Sequence, residues 1–178
     1  MRIIGGTHKG RSIHAPNNLP VRPTTDFAKE SLFNILNNEI DFDGVDALDL
    51  FCGTGNITYE LASRGCGHIT SIDVNFKCTS FVKESIIKFN FENVMVMKAN
   101  VFLYLKQCNR KFNFIFADPP YANPKIYEIP DLIFNNNILS EGGMLVLEHP
   151  AEISFSMHPN FNKHKVYGHV NFTFFEHK

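Results

Sequence analysis

Apolar and polar positions along this 178-residue chain change rhythm at regular intervals. Residues 45–51 read as a buried strand, broken only by Asp46 and Asp49, that runs into a glycine turn and then a helix over 56–64 stopped by Gly65. A second strand spans 68–73 and ends in an acid. A helix over 76–90 follows, with Cys78, Phe81, Val82, Ser85, Ile86 and Phe89 along one side. A third strand at 94–97 leads to a short helix at 101–108. The fourth strand, 112–117, is apolar except for Asn113, as expected when both faces are covered. A helix within 124–136 precedes Gly142-Gly143 and a strand at 144–148. Two last strands near 164–167 and 171–176 would form a hairpin turning at Gly168-His169. Ahead of this series, residues 1–15 predict a short hairpin with a basic face, and 16–24 a loop rich in Pro and Asn. A helix over 26–37 follows, capped by Thr24 or Thr25, with Ala28, Leu32, Phe33, Ile35 and Leu36 on its apolar side.

Strands alternating with helices imply an α/β fold with a mostly parallel, seven-stranded sheet and a terminal antiparallel hairpin. The length suits one domain, with 1–24 as a basic hairpin and loop ahead of a core over 25–178. In such sheets ligands bind beyond the carboxyl ends of the strands. That rule gathers four polar residues at one crevice: Asp49, Asp73, Asn100 and Asp118.

The stretch Asp49-Leu50-Phe51-Cys52-Gly53-Thr54-Gly55 is the candidate cofactor site, because glycines let a ligand lie against the backbone and the following helix offers free N–H groups. It is not a dinucleotide fingerprint, since Thr58 stands where a third small residue is needed. Nor does a phosphate-binding G-x-x-x-x-G-K-[ST] occur anywhere. A carboxylate followed by G-x-G suits a cationic cofactor, and S-adenosylmethionine carries an ammonium and a sulfonium. Asp73, at the end of the second strand, is placed to accept from a ribose diol. Asn100 could contact the adenine or simply cap a turn.

Composition narrows the class. With 44% apolar and 20% charged residues the chain resembles an ordinary soluble globule. No apolar run approaches the ~18 residues of a membrane span, and Met1-Arg2-Ile3-Ile4 leads straight into glycine rather than a signal sequence. Cys52, Cys66, Cys78 and Cys108 lack zinc or redox spacing, so a reduced, cytoplasmic protein is expected. Cys52 reads as a small packing residue inside the turn. The eight histidines are scattered, those of the tail are expected to face solvent, and no metal site is expected. The net charge of −1 is unevenly divided: residues 1–30 hold five Lys/Arg against two acids. A basic arm on an acidic body is consistent with phosphate contacts.

Asp118-Pro119-Pro120-Tyr121 carries the sharpest chemical signal. Two prolines remove donors and stiffen the loop, leaving carbonyls free to accept from an amine. Asp118 adds a charged acceptor, and the Tyr121 ring offers a face on which an unstacked base can rest. Acceptors on the hydrogens of an exocyclic amine free its lone pair for attack on a methyl group. Asp118 can also take up the released proton.

D-[NP]-P-[YF] tetrapeptides mark amino-group methyltransferases acting on nucleic-acid bases. The chain as a whole resembles one branch, the bacterial 16S rRNA guanine-N2 methyltransferases of the RsmD type. The likeness runs through Arg2-Ile3-Ile4-Gly5-Gly6, Lys9-Gly10-Arg11, Arg22-Pro23-Thr24-Thr25-Asp26, Lys29-Glu30 and Leu32-Phe33-Asn34-Ile35-Leu36. It continues through Leu48 to Gly55, Ser63-Arg64-Gly65, the tetrapeptide, and Tyr167-Gly168 to Phe175-Glu176. The resemblance implies a Rossmann-like class I methyltransferase that uses S-adenosylmethionine and acts on small-subunit rRNA, in the particle or an assembly intermediate. It implies catalysis by Asp118, Pro119, Pro120 and Tyr121. Asp49, Phe51, Cys52, Gly53, Thr54, Gly55, Asp73, Asn100 and Asp118 would hold the cofactor, and Lys9, Arg11, Arg22, Thr24 and Thr25 would face RNA. Phe27, Asp73 and Asn100 depart from the family's usual basic residue, Glu and Asp. A monomer is expected. Two other readings stay open: an adenine-N6 methyltransferase, for whose separate recognition region the chain has little room, and a cofactor-binding assembly factor without catalysis.

Overall fold

A computed structural model describes residues 1–16, 19 and 26–177. Among the described residues, five helices and seven strands follow one another in the order the apolar pattern predicts. In chain order they are α1 (Asp26–Leu36), β1 (Asp46–Leu50), α2 (Asn56–Ser63), β2 (His68–Asp73), α3 (Phe76–Lys88), β3 (Val94–Lys98) and α4 (Val101–Gln107), followed by β4 (Phe112–Ala117), α5 (Glu128–Asn135), β5 (Leu139–His149), β6 (Phe161–Tyr167) and β7 (Val170–Glu176). The strands form one sheet in the order β3-β2-β1-β4-β5-β7-β6, with β7 alone running antiparallel to both its neighbours. Strand order reverses direction between β1 and β4, so a crevice opens at their carboxyl ends.

Alternation along each strand sorts the core into two layers. Ala47, Phe114, Phe116, Val146, Phe172 and Phe174 meet α1, α2 and α3 on one face. Leu48, Leu50, Ile115, Leu145, Leu147 and Phe175 meet α4 and α5 on the other. In α1, Ala28, Leu32, Phe33 and Leu36 recur at helical spacing and are all buried.

One expectation is corrected. The Gly142-Gly143 pair does not precede β5 but lies within it. Near these glycines the β4–β5 register shifts between Phe112 and Phe114, and a Cβ on Gly143 would come within 2.9 Å of the Asn113 and Ser140 carbonyls. Glycine here accommodates a bulge rather than ending a strand. At the amino end the chain doubles back as a short antiparallel pair, with an Arg2–Ser12 bridge flanked by Ile3 N–H to the Arg11 carbonyl at 2.9 Å and Ile13 N–H to the Met1 carbonyl at 3.0 Å, and a 3-10 turn at Gly6–His8. Its apolar anchors Ile3 and Ile13 are buried. Gly6, at φ 72°, sits so close to α2 that a Cβ would overlap the Ser63 carbonyl. The expected Thr24 or Thr25 cap lies outside the described residues.

One buried ionic cluster joins this segment to the helices. Glu60 of α2, with no exposure, accepts from the Ile4 N–H at 2.9 Å. It also meets the Lys29 ammonium at 3.4 Å and the Arg64 guanidinium at 2.8 Å. Lys29 donates further to the Arg2 carbonyl at 2.6 Å and to Asn56 Oδ1 at 2.8 Å. Burial lowers the Lys29 pKa, and Glu60 opposes that shift. Removing one partner of such a cluster strands the other charge in a dry site. Glu60→Ala is therefore expected to cost about 3–5 kcal/mol in urea unfolding, and Lys29→Met/Glu60→Leu to recover most of it.

Candidate active site

The sharp bend after β1 is built from left-handed residues. Phe51 (φ 62°), Gly53 (φ 51°) and Gly55 (φ 79°) all take positive φ, which a side chain normally disfavours. Gly55 also needs the absent Cβ, because one would meet the Tyr59 ring at 2.7 Å. The turn is tied by Cys52 N–H to the Ile72 carbonyl at 2.9 Å and Gly55 N–H to the Cys52 carbonyl at 2.7 Å. Thr54 and Cys52 are buried, and burial pushes the Cys52 thiol well above its usual 9.0, in keeping with a packing role.

Asp73, from the end of β2, holds this turn from the side. Its Oδ2 accepts from Gly53 N–H at 2.9 Å and its Oδ1 from Asn75 N–H at 2.7 Å. A carboxylate has about four acceptor positions, so two backbone donors leave capacity for a diol. Asn100 is exposed and caps α4, accepting from Leu103 N–H at 3.1 Å.

Asp49 is buried beneath the turn. Thr58 donates to it at 2.5 Å and lies 2.7 Å from Ser71 Oγ. The residue that breaks the dinucleotide fingerprint is thus the one that satisfies the Asp49 carboxylate. Burial, with a smaller push from the Asp73 charge, raises Asp49 from 3.8 to about 7 against the Thr58 hydrogen bonds.

Across the crevice, Asp118 follows β4 directly, its N–H 3.3 Å from the Leu50 carbonyl. Pro119 is buried, while Pro120 is exposed and Tyr121 is 45% exposed. Burial first, then the charges of Glu148 and Asp49, hold Asp118 well above 3.8. Glu148 is a site residue that sequence reasoning misses. It accepts from the Tyr121 hydroxyl at 3.1 Å and is itself buried, which pushes it up to about 7. The strand-end rule applied to β5 would have found it, since it closes the apolar run Met144–Leu147.

The expected RNA-facing residues divide. Lys9 and Arg11 are exposed beside the amino-terminal turn, with Arg11 5.9 Å from the Phe89 ring centre. Arg22, Thr24 and Thr25 lie outside the described residues. Phe27, in place of the usual basic residue, is 65% exposed at the start of α1. His164 and His169 are exposed as expected, but His158 is half-buried, 3.4 Å from Asp131 and packed on Phe134 and Phe175. Among the described residues no cluster of His, Cys, Asp or Glu is arranged to hold a metal, and no helix is long and apolar enough to cross a membrane.

With this geometry in view, comparison with known proteins is decisive. The family model described as Conserved hypothetical protein 95 matches residues 1–176. The chain belongs to this family, the RsmD family. Bacillus subtilis YlbH, a protein named as a candidate rRNA methyltransferase, is 36% identical to this RsmD-family chain over 157 residues, 86% of this chain and 84% of that one. A Buchnera aphidicola protein named Ribosomal RNA small subunit methyltransferase D is 33% identical over 148 residues, 83% of this chain and 75% of that one. The solved structure of yhhF, a candidate methyltransferase of Escherichia coli, superimposes with a TM-score of 0.87 at 27% identity, covering 100% of this chain and 99% of that one. The fold is that of a Rossmann-like class I methyltransferase.

The raised Asp49 makes a stability prediction. A folded-state pKa above the ordinary value means that the protonated form is favoured in the native state, so this contribution is complete below about pH 4 and is lost as pH rises through about 7. Asp49→Asn keeps an acceptor for Thr58 and carries no charge. Its melting temperature is expected to exceed that of the wild type by a few degrees at pH 8, with the difference shrinking towards pH 5 in a calorimetric series.

Proposed function

We propose that this RsmD-family protein transfers a methyl group from S-adenosylmethionine to the exocyclic N2 amine of a guanine in 16S rRNA, within the small ribosomal subunit or its assembly intermediate. The observation that carries this reading is the position of Asp118-Pro119-Pro120-Tyr121. The tetrapeptide leaves β4 at the switch point of the sheet, directly opposite the glycine turn after β1. The names of the curated relatives supply the rRNA class of substrate.

The residues around the turn fit the cofactor. Asp49 offers a carboxylate to a cationic group, Asp73 has acceptor capacity for a ribose, and Gly53 and Gly55 keep the backbone accessible. Val74, Phe76 and Leu103, each at least 60% exposed, are apolar side chains just beyond the ends of β2 and β3, where a purine would lie. S-adenosylmethionine, when bound, supplies an electrophilic methyl on sulfur. The protein's part is to orient the amine. Asp118 and the Pro119 carbonyl accept its two hydrogens and turn its lone pair towards the methyl, while Tyr121 stacks on the base. As the N–C bond forms and the methyl–sulfur bond breaks, with its electron pair leaving on sulfur as a neutral thioether, the amine gives one proton to Asp118, whose raised pKa suits it to hold that proton. Lys9 and Arg11 contact phosphates, and Arg22, Thr24 and Thr25 complete the RNA side.

Labelled methyl transfer to 30S particles from a strain lacking the protein, followed by nucleoside analysis, tests this directly. N2-methylguanosine is expected. Asp118→Ala should lower kcat by about 10²–10⁴ while RNA binding persists. N6-methyladenosine as the product would move the assignment to adenine. Cofactor binding with no transfer to any RNA would leave an assembly factor.

A further inference from the structure

The methyl-transfer scheme does not use Glu148, yet the structure places it beside the reacting groups. Ala117 of β4 pairs with Leu147 of β5, so Asp118 and Glu148 occupy the next level on adjacent parallel strands and share a face of the sheet. Asp49 shares that face, since it pairs with Phe116. The two carboxyls are close enough for the Glu148 charge to weigh on Asp118. Glu148 Oε1 accepts from the Tyr121 hydroxyl, which fixes the plane of the carboxylate. Its Oε2 is buried and has no hydrogen-bond partner among the described residues. A buried acceptor without a donor is costly, and native proteins seldom keep one without a use.

We infer that Glu148 reads the edge of the target base, its Oε2 accepting a hydrogen bond from N1–H of the guanine whose N2 amine is held by Asp118. This rests on the guanine-N2 reading. Guanine presents N1–H and the N2 amine side by side, two donors in a row. Adenine presents its amine beside N1, whose lone pair would face the carboxylate. Neighbouring parallel strands lie about 4.8 Å apart, so carboxylates at one level on β4 and β5 can converge on adjacent donors. The Tyr121 hydroxyl holds Glu148 Oε1 in the free protein. The Tyr121 ring, 45% exposed, shifts to stack on the arriving base and opens Oε2 to it. Glu148 is thereby a specificity residue, and Asp118 holds the reacting amine.

The test separates N1–H recognition from general damage. Once the methylated position is known from the wild type, small subunits are reconstituted with 2-aminopurine at that position. This base keeps the N2 amine, replaces N1–H by an acceptor nitrogen and lacks the O6 carbonyl, whose loss the variant and the wild type share. The wild type should show at least a tenfold lower kcat/KM on it than on guanine. Glu148→Gln, whose amide can still accept from Tyr121 and can donate to N1, should lose about 10- to 100-fold on guanine and little or nothing on 2-aminopurine. Equal fractional losses on the two bases, or no loss on guanine, would overturn the inference alone. Cofactor affinity and a single melting transition report whether the variant is folded. Should it not fold, a wild type indifferent to the loss of N1–H overturns the inference by itself. A wild type that forms no N2-methylguanosine would instead defeat the underlying reading, and this inference with it.

Discussion

A carboxylate with no access to water sets the geometry of this protein. Glu60 is tolerated at full burial because backbone, ammonium and guanidinium donors converge on it from the amino-terminal segment, α1 and its own helix. An isolated buried charge would be prohibitive, so the cluster must assemble as a unit or not at all. Lys29 carries the constraint onward to Asn56, the first residue of α2 and the one immediately after the glycine turn. The left-handed backbone of that turn is therefore held at its far end by an ionic cluster and at its side by Asp73.

Against this fixed frame the crevice concentrates acids. Asp49, Asp118 and Glu148 share one face of the sheet near the carboxyl ends of three adjacent strands, and burial raises all three pKa values. Such crowding opposes folding above neutral pH and is offset by the packed layers on either side. It leaves a site that attracts hydrogen-bond donors and cations, and a sulfonium cofactor is such a cation. Stability and chemistry pull in opposite directions at these positions.

Much of this is legible in the amino-acid pattern. Strand-end position alone singles out Asp49, Asp73 and Asp118, because an apolar run that ends in an acid sets a charge at the rim of the sheet, where ligands bind. Glu148 closes the apolar run Met144–Leu147 in the same way, so the strand-end rule finds it once applied to β5. The pairing of Lys29 with Glu60 cannot be read, since both lie on helices whose periodicity says which face is buried but not which neighbour meets it. Asn100 is ambiguous for a physical reason: the same amide that can contact a purine can cap a helix, and here an open N–H stands within reach. At the amino end, the two arms pair around Arg2 and Ser12 as the pattern of residues 1–15 predicts, but the close contact of Gly6 with α2 is a tertiary fact that no local rhythm carries.

The order of the sheet also has a consequence in time. β1 can pair early with β2, which follows it after one helix, but its other partner is β4, beyond α2, β2, α3, β3 and α4. Non-local pairings of this kind form late and slow the folding of parallel sheets. Until β4 arrives, β1 presents a bare hydrogen-bonding edge flanked by Leu48 and Leu50, the sort of surface on which partly folded chains associate. The β1–β4 boundary is thus, during biogenesis, an exposed line, and chaperone demand should track the docking of β4 rather than the formation of the amino-terminal half.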